Sequence, residues 1–165
     1  MAEAVISFET TVQVWNTCLC LHTQRAARVL ARRFDEALRP AGLNNRQFSL
    51  LMTLNRPQPA TMGKVAGLLG ADRTTLTAAL KPLSGEGLVE ISVDPNDSRV
   101  RRLALTKAGR TRLAAATPLW EAAHRALEAE LMDVDAGRLR RELVALSATP
   151  QQHPDEGCAR PDFIP

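Results

Sequence analysis

The sequence predicts a mainly α-helical chain with a small β-ribbon, and three observations carry that reading. Apolar residues recur at helical spacing through most of the 165 residues. Aromatic residues are few, tyrosine is missing, and alanine and leucine are plentiful, which favours helices over a sheet-based fold. One stretch, Leu88 to Leu105, instead alternates apolar and polar residues around the turn-forming run Asp94-Pro95-Asn96-Asp97.

The elements follow in order. Phe8, Val12, Trp15, Leu19, Ala26, Val29 and Phe34 fall near helical spacing, and Pro40 to Gly42 ends the run, so one long amphipathic helix is expected from about Glu9 to Arg39. Asn44 with Gln47 is a capping box for the next helix, where Phe48, Leu51 and Leu54 form the apolar face and Pro57 and Pro59 stop the pattern. Thr61 caps a short helix carrying Met62, Val65, Leu68 and Leu69, which ends at Gly70. After a tight turn Asp72 caps a further helix with a buried stripe of Leu76, Leu80 and Leu83. Pro82 lies inside it; such a proline removes one backbone bond and costs about 3 kcal/mol unless accommodated, so a kink or weakening is expected near Ala78 to Pro82. Gly85 and Gly87 end that helix, and strands follow at Leu88 to Val93 and Val100 to Leu105. Thr106 to about Leu131 forms a second long helix with Leu113, Trp120, Leu127 and Leu131, and a shorter one starts at Asp133 or Asp135 and ends near Leu146.

Two helices joined by a tight turn and followed at once by a ribbon make a winged helix-turn-helix. On the outer side of the second helix Arg73, Thr77 and Lys81 recur every four residues with Thr74 and Thr75 beside them, and no carboxylate follows the cap. Such a face suits the major groove: arginine pairs bidentately with guanine, threonine contacts phosphates, base edges or thymine methyls, and the helix N-terminus favours phosphate. A solvated surface helix has the same pattern, and the ribbon tips the balance. Arg99, Arg101 and Arg102 lie along it, and arginines at a ribbon tip can enter a narrow minor groove. Thr61, Arg73, Thr74, Thr75, Thr77, Lys81, Asp97, Arg99 and Arg101 are the candidate contacts to double-stranded DNA.

Charge agrees. The net charge is +3 with a pI near 9.1, and the segment from Thr149 sets Arg160 against Asp155, Glu156 and Asp162, so the body before it carries +5. No apolar run is long enough to span a bilayer, and MAEAVISFETT lacks a signal core, so no membrane partner and a cytoplasmic location are expected. Three cysteines do not make a secreted disulfide framework. A Gly-rich phosphate loop, a Gly-x-Ser-x-Gly elbow and a His-Glu-x-x-His helix are all missing, so an enzyme is not expected.

The run ADRTTLTAALKPLSGEGLVEISVDPNDSRVRRLALTKAGR resembles the core of the MarR family of bacterial transcriptional regulators, whose wing carries an Asp-x-Arg element and a strand ending Leu-x-Leu-Thr. Asp97, Ser98 and Arg99, then Leu103 to Thr106 and Gly109, match it, and the similarity extends through LRPAGLNNRQFSLL to cover about Val14 to Leu146. Two departures stand out: SGEG at Ser84 to Gly87 replaces a basic pair, and Ala78 and Ala79 replace longer polar residues, which bears on operator sequence rather than on fold. The expected layout is a single MarR-like domain over 1–148, with a winged helix DNA-binding region at about 44–105, dimerisation helices at about 8–40 and 106–148, and a flexible tail at 149–165. The long helices carry more apolar surface than one winged unit covers, which points to a homodimer, and the resemblance implies the same. Two-fold symmetry then predicts a pseudo-palindromic operator, with repression the family default.

The effector is read two ways. Cys18 and Cys20 in one helix would point about 200° apart, and C-x-C without a Cys or His cluster is a poor zinc site, so no metal and no cofactor are expected. The segment CLHTQRAARVLARRFDEALRPAGL resembles the first helix of the organic hydroperoxide sensors of the family, and its spacing to Arg28, Pro40 and Gly42 puts Cys20 at their reactive cysteine. Tyrosines hydrogen-bond the thiol in those sensors; here Phe34 and Asn45 stand where two would be sought, so activation must come from His22, arginines or a helix end. Equally, Cys18 and Cys20 can be small inert hydrophobes. The resemblance then points to a small aromatic or phenolic anion, with Trp15, Leu19, His22, Arg25, Phe48 and Met52 as candidate pocket residues, each of which could equally be ordinary packing. Outside regulation, a thiol peroxidase using Cys20 and a winged domain for protein contact are the competing classes; the first needs turnover with a reductant, and the second predicts binding insensitive to Arg73 and Arg99.

Overall fold

The computed structural model describes residues 5–132 and 134–148. Ser7 accepts the amide of Thr10 and starts α1 (Phe8–Thr17). The single helix expected from about Glu9 to Arg39 is then two, because Cys18 leaves the helical region with φ −73° and ψ 102°. Its N–H closes α1 on the Val14 carbonyl at 2.9 Å, and its Sγ accepts the Leu21 amide at 3.4 Å as N-cap of α2 (Leu19–Leu38). Apolar periodicity runs on through a one-residue break of this kind, so the pattern conceals it. The cysteine directions expected for one continuous helix do not apply, since Cys18 is not helical.

A single 3-10 turn at Arg39–Ala41 leads to Gly42, whose φ of 69° suits glycine. The expected capping box is present, Asn44 Oδ1 accepting the Gln47 amide and Gln47 Oε1 accepting the Asn44 amide, both at 2.9 Å, ahead of α3 (Asn45–Leu54). Next comes β1 (Ala60–Thr61), which the sequence reading did not anticipate, and then α4 (Met62–Leu69), capped by Thr61 and closed by Gly70 with φ 60°. Asp72 caps α5 (Arg73–Gly85), and Pro82 sits on an exposed position within this helix, which continues past it. The strands are β2 (Val89–Val93) and β3 (Arg101–Leu105). Thr106 caps α6 (Lys107–Glu130) and Asp135 caps α7 (Ala136–Ser147). Asp133 and the tail, with His153 and Cys158, lie outside the described residues.

The sheet is antiparallel with order β1-β3-β2; Ala60 lies opposite Leu103, and Val89 opposite Leu105. This register turns Ala60, Val89, Leu103 and Leu105 into a core that includes Leu38, Leu50, Leu51, Leu54, Val65, Leu76, Leu80 and Leu83. Burying leucines against one another across helices and sheet is what holds the unit together, at about 1.5–3 kcal/mol for each side chain. Phe48 on α3 stacks on Trp120 of α6 with ring centres 6.0 Å apart, and a bidentate pair, Arg33 to Glu130 at 2.5 and 2.6 Å, clamps α2 to α6. Helices α1 and α7 bury no residue. Phe8, Trp15 and Leu19 are 75%, 61% and 68% exposed, and Leu139, Leu143, Val144 and Leu146 of α7 are exposed too, so α1, the start of α2 and α7 present exposed apolar faces. No helix among the described residues is long and apolar enough to cross a membrane.

The wing joins the second half at one tight place. Gly109, in the first turn of α6, lies so close to the residue before β2 that a Cβ there would meet the Leu88 carbonyl oxygen at 2.0 Å. The Thr106 hydroxyl donates to the Gly87 carbonyl at 2.6 Å, and the Thr106 amide donates to Leu88 at 3.1 Å.

Candidate nucleic-acid interface

The geometry of α5 is set at its first residue. Asp72 Oδ1 accepts the Thr75 amide at 2.7 Å and Oδ2 accepts the Thr75 hydroxyl at 2.8 Å. Those bonds, the backbone one foremost, hold the Asp72 carboxyl below the ordinary carboxylate range. Thr75 is therefore engaged in the cap. Leu76, Leu80 and Leu83 anchor the inner face, leaving Arg73, Thr74, Thr77 and Lys81 exposed on the outer one. The Thr77 hydroxyl donates to the Arg73 carbonyl at 2.8 Å, so it offers a partner its methyl and its lone pairs. Thr61 caps α4 through the Lys64 amide at 3.4 Å, at the entrance of the helix-turn-helix.

The wing turn is built by its own aspartates. Asp94 Oδ1 accepts the Asn96 amide at 2.8 Å, and Asp97 Oδ1 accepts the Arg99 amide at 2.9 Å. Asp97, a candidate contact by sequence, orients the backbone of Arg99. Arg99 and Arg101 are exposed, and Arg101 donates to the Ser98 carbonyl at 2.9 Å. Among the described residues no carboxylate pairs with Arg73, Lys81, Arg99 or Arg101. Arg102 differs: it is paired with Asp94, which is 8% exposed and is held below the ordinary carboxylate range by the Asn96 amide and by Arg102. The sequence reading grouped the three arginines and did not single out Asp94. Strand alternation could have separated Arg101 from Arg102, since neighbours on a strand face opposite ways.

The effector candidates are less gathered. Trp15, Leu19, His22 and Arg25 are exposed on α1 and α2, Met52 is 37% exposed, and Phe48 is buried against Trp120. A groove of about 470 Å³ between the end of α2 and the start of α3 is lined by Arg32, Asp35, Glu36, Arg39 and Asn44, and a smaller one of about 130 Å³ lies where Asn55 to Pro59 face Leu105 and Arg110. Neither involves the six candidates. Cys20 is exposed in the first turn of α2, where the Gln24 amide donates to Sγ at 3.2 Å and Gln24 Oε1 accepts from Arg28 at 3.4 Å. Phe34 is buried in the core, and the Asn45 amide donates to Asp35 at 2.7 Å.

A capped helix with an exposed basic and hydroxyl-bearing outer face, preceded by a second helix and followed by an arginine-bearing ribbon, defines a winged helix-turn-helix of the DNA-binding class. A family model described as MarR matches residues 43–100, from the start of α3 to the wing turn. The chain is similar to the M. tuberculosis transcriptional regulator MosR, seen in a crystal structure in complex with DNA, at 39% identity over 79% of this chain and 93% of that one, with a TM-score of 0.72. It is 30% identical over 92 residues to the HTH-type transcriptional regulator YwoH of Bacillus subtilis, covering 56% of this chain and 66% of the relative. The transcriptional activatory protein BadR of Rhodopseudomonas palustris is 30% identical over 89 residues, covering 52% of this chain and 51% of the relative. The chain thus spans between half and two thirds of these two curated relatives. It belongs to the MarR family of transcriptional regulators.

Proposed function

We propose that this chain is a repressor that binds a pseudo-palindromic double-stranded DNA operator as a homodimer and is released by an effector. The observation that carries the reading is the exposed outer face of α5, where Arg73, Thr77 and Lys81 have no carboxylate partner among the described residues, followed directly by a ribbon bearing Arg99 and Arg101. Arg99 and Arg101 neutralise backbone phosphate, and Arg73 reads a base edge. The exposed apolar faces of α1, α2 and α7 favour a second copy, which would place two α5 helices about one DNA turn apart, about 34 Å. Binding of the protein to its own upstream intergenic DNA, followed by anisotropy across a salt series, tests this. Affinity falling steeply with salt, with two protomers per duplex, is expected; equal binding to random duplex, or one protomer per duplex, overturns it.

The effector is a small aromatic or phenolic anion held between the dimer helices and the winged region. Trp15, Leu19, His22 and Arg25 stand exposed on α1 and α2, where a second copy would cover them, which supports this reading. Release requires tighter binding to the non-operator spacing of the two α5 helices. Benzoate is a direct probe: it should weaken operator binding in the wild type and not in Arg25→Ala.

One observation favours a second reading, a peroxide sensor using Cys20. Its sulfur is exposed, sits in the first turn of α2 and accepts the Gln24 amide, which Arg28 in turn bonds. The thiolate would attack the terminal OH oxygen of the hydroperoxide as the O–O bond breaks, giving a sulfenic acid and an alkoxide that takes a proton from water to leave as the alcohol. Equimolar organic hydroperoxide should then abolish DNA binding in the wild type, reversibly with dithiothreitol, and leave Cys20→Ser unaffected; unchanged binding in both discards the sensor.

A further inference from the structure

We propose that Asp94 and Arg102 form a positioning strut that fixes the wing relative to the helix-turn-helix, so that Arg99 and Arg101 meet the DNA backbone; the inference rests on the DNA-binding reading above. Asp94 is the residue before the turn, and its amide donates to the Val100 carbonyl at 3.0 Å. Its carboxylate is buried and takes both the Asn96 amide and Arg102 Nε. Arg102 lies on the central strand opposite Thr61 on one side and Ser92 on the other. A second arm of the same guanidinium reaches the Pro59 carbonyl at 3.5 Å, just ahead of β1 and the Thr61 cap of α4.

One side chain therefore joins the ribbon turn, the central strand and the segment entering the helix-turn-helix. The planar fork of arginine permits this, because two donors point in fixed and different directions, whereas a lysine is a single point charge. A two-residue strand such as β1 offers few ladder bonds to hold the wing by itself. Arg102 is about two-thirds covered, unlike exposed Arg99 and Arg101, so its charge is spent inside the protein.

Electrostatics and positioning make opposite predictions. Removing the negative charge of Asp94 and releasing Arg102 should tighten binding to a polyanion if only charge matters. A lost strut should weaken it. The experiment uses the full chain, its upstream duplex and a random duplex, with Asp94→Ala and Arg102→Lys beside the wild type and Arg99→Ala. Both strut variants are expected to bind both duplexes more weakly, with a salt slope shallower by about 1 for each wing and so about 2 per dimer. The preference for the upstream duplex, set by α5, should stay. Tighter binding by Asp94→Ala, or an unchanged slope in both variants, overturns the strut. Should Asp94→Ala fail to fold, Arg102→Lys decides, because it keeps the charge and the strand. A wild type without salt-dependent binding, or an Arg99→Ala variant identical to it, counts against the DNA-binding reading itself; a normal Arg99→Ala loss beside unaffected strut variants sinks the strut alone.

Discussion

Replacing Gly109 by alanine is the sharpest test of how the two halves of the chain are joined. The added Cβ would stand 2.0 Å from the Leu88 carbonyl oxygen, 3.0 Å from its carbon and 3.3 Å from Leu105 Cδ2. Ordinary contact begins near 3.4 Å, so helix and strand must part by about 1.4 Å. That movement carries the Thr106 bonds to Gly87 and Leu88, now 2.6 and 3.1 Å, beyond hydrogen-bonding range. Losing two bonds at about 1 kcal/mol each and overpacking at about 1–3 kcal/mol outweigh a helix-propensity gain of about 1 kcal/mol. The net loss is about 2–4 kcal/mol, which in a urea titration lowers the midpoint by roughly 1–2 M. Gly67→Ala on α4 serves as control, since nothing lies within 4 Å of a Cβ there, and it should hold or raise the midpoint. A Gly109→Ala midpoint equal to wild type would refute the reasoning.

Other substitutions separate the parts of the interface and the core. Arg99→Ala should weaken binding on every sequence, whereas Arg73→Ala should also relax base preference by about 1–3 kcal/mol; equal losses on specific and random DNA for both variants would remove that division of labour. Phe48→Ala takes away a buried ring stacked on Trp120 and should cost about 3–5 kcal/mol in thermal or urea unfolding, and a loss below 1 kcal/mol would mean that the α3–α6 contact is slack. Asp72, Asp94, Glu128 and Glu130 are all held below their ordinary range by hydrogen bonds, chiefly from Thr75, Asn96, Arg140 and Arg33 respectively. The unfolded chain binds protons more readily at these sites, so their contribution is full above about pH 4.5 and is lost as pH falls further; a melting temperature flat between about pH 5 and pH 3 would contradict it.

The caps were the most legible part of the fold. Asn44 with Gln47, Thr61 and Asp72 act where their side chains and spacing say they should, because capping is a local bond within three residues. The strands were legible too, within a residue at each start, since alternation and the Asp-Pro-Asn-Asp turn are local signals. What escaped depends on distant partners. Ala60 and Thr61 become a strand only because β3 runs beside them, and Arg102 lies on the face away from the core, where Asp94 meets it, because register pairs its neighbour Leu103 with Ala60 and Ile91. At Cys18 the apolar period passes unbroken through a residue that is not helical, so a pattern built on period joins α1 to α2. Pro82 shows the reverse: burial of Leu80 and Leu83 on either side keeps α5 intact through a residue that alone would weaken it. That Arg73, Arg99 and Arg101 stand exposed could be expected from sequence because exposure needs no distant partner, while the effector candidates, spread over α1, α2 and α3, line neither groove described above.

The close seat of Gly109 under Leu88 ties α6 to the base of the wing, while Trp120 and Glu130 further along the same helix tie it to α3 and α2. The helix has 24 residues and so is about 36 Å long. A tilt of about 5° of this helix about Gly109 would swing its distal end through about 3 Å, so a shift of that size at α2 and the distal end of α6 would reach the wing as a rotation of only a few degrees. Under the proposed release by an effector, a displacement far from the ribbon would turn Arg99 and Arg101 slightly rather than move them bodily.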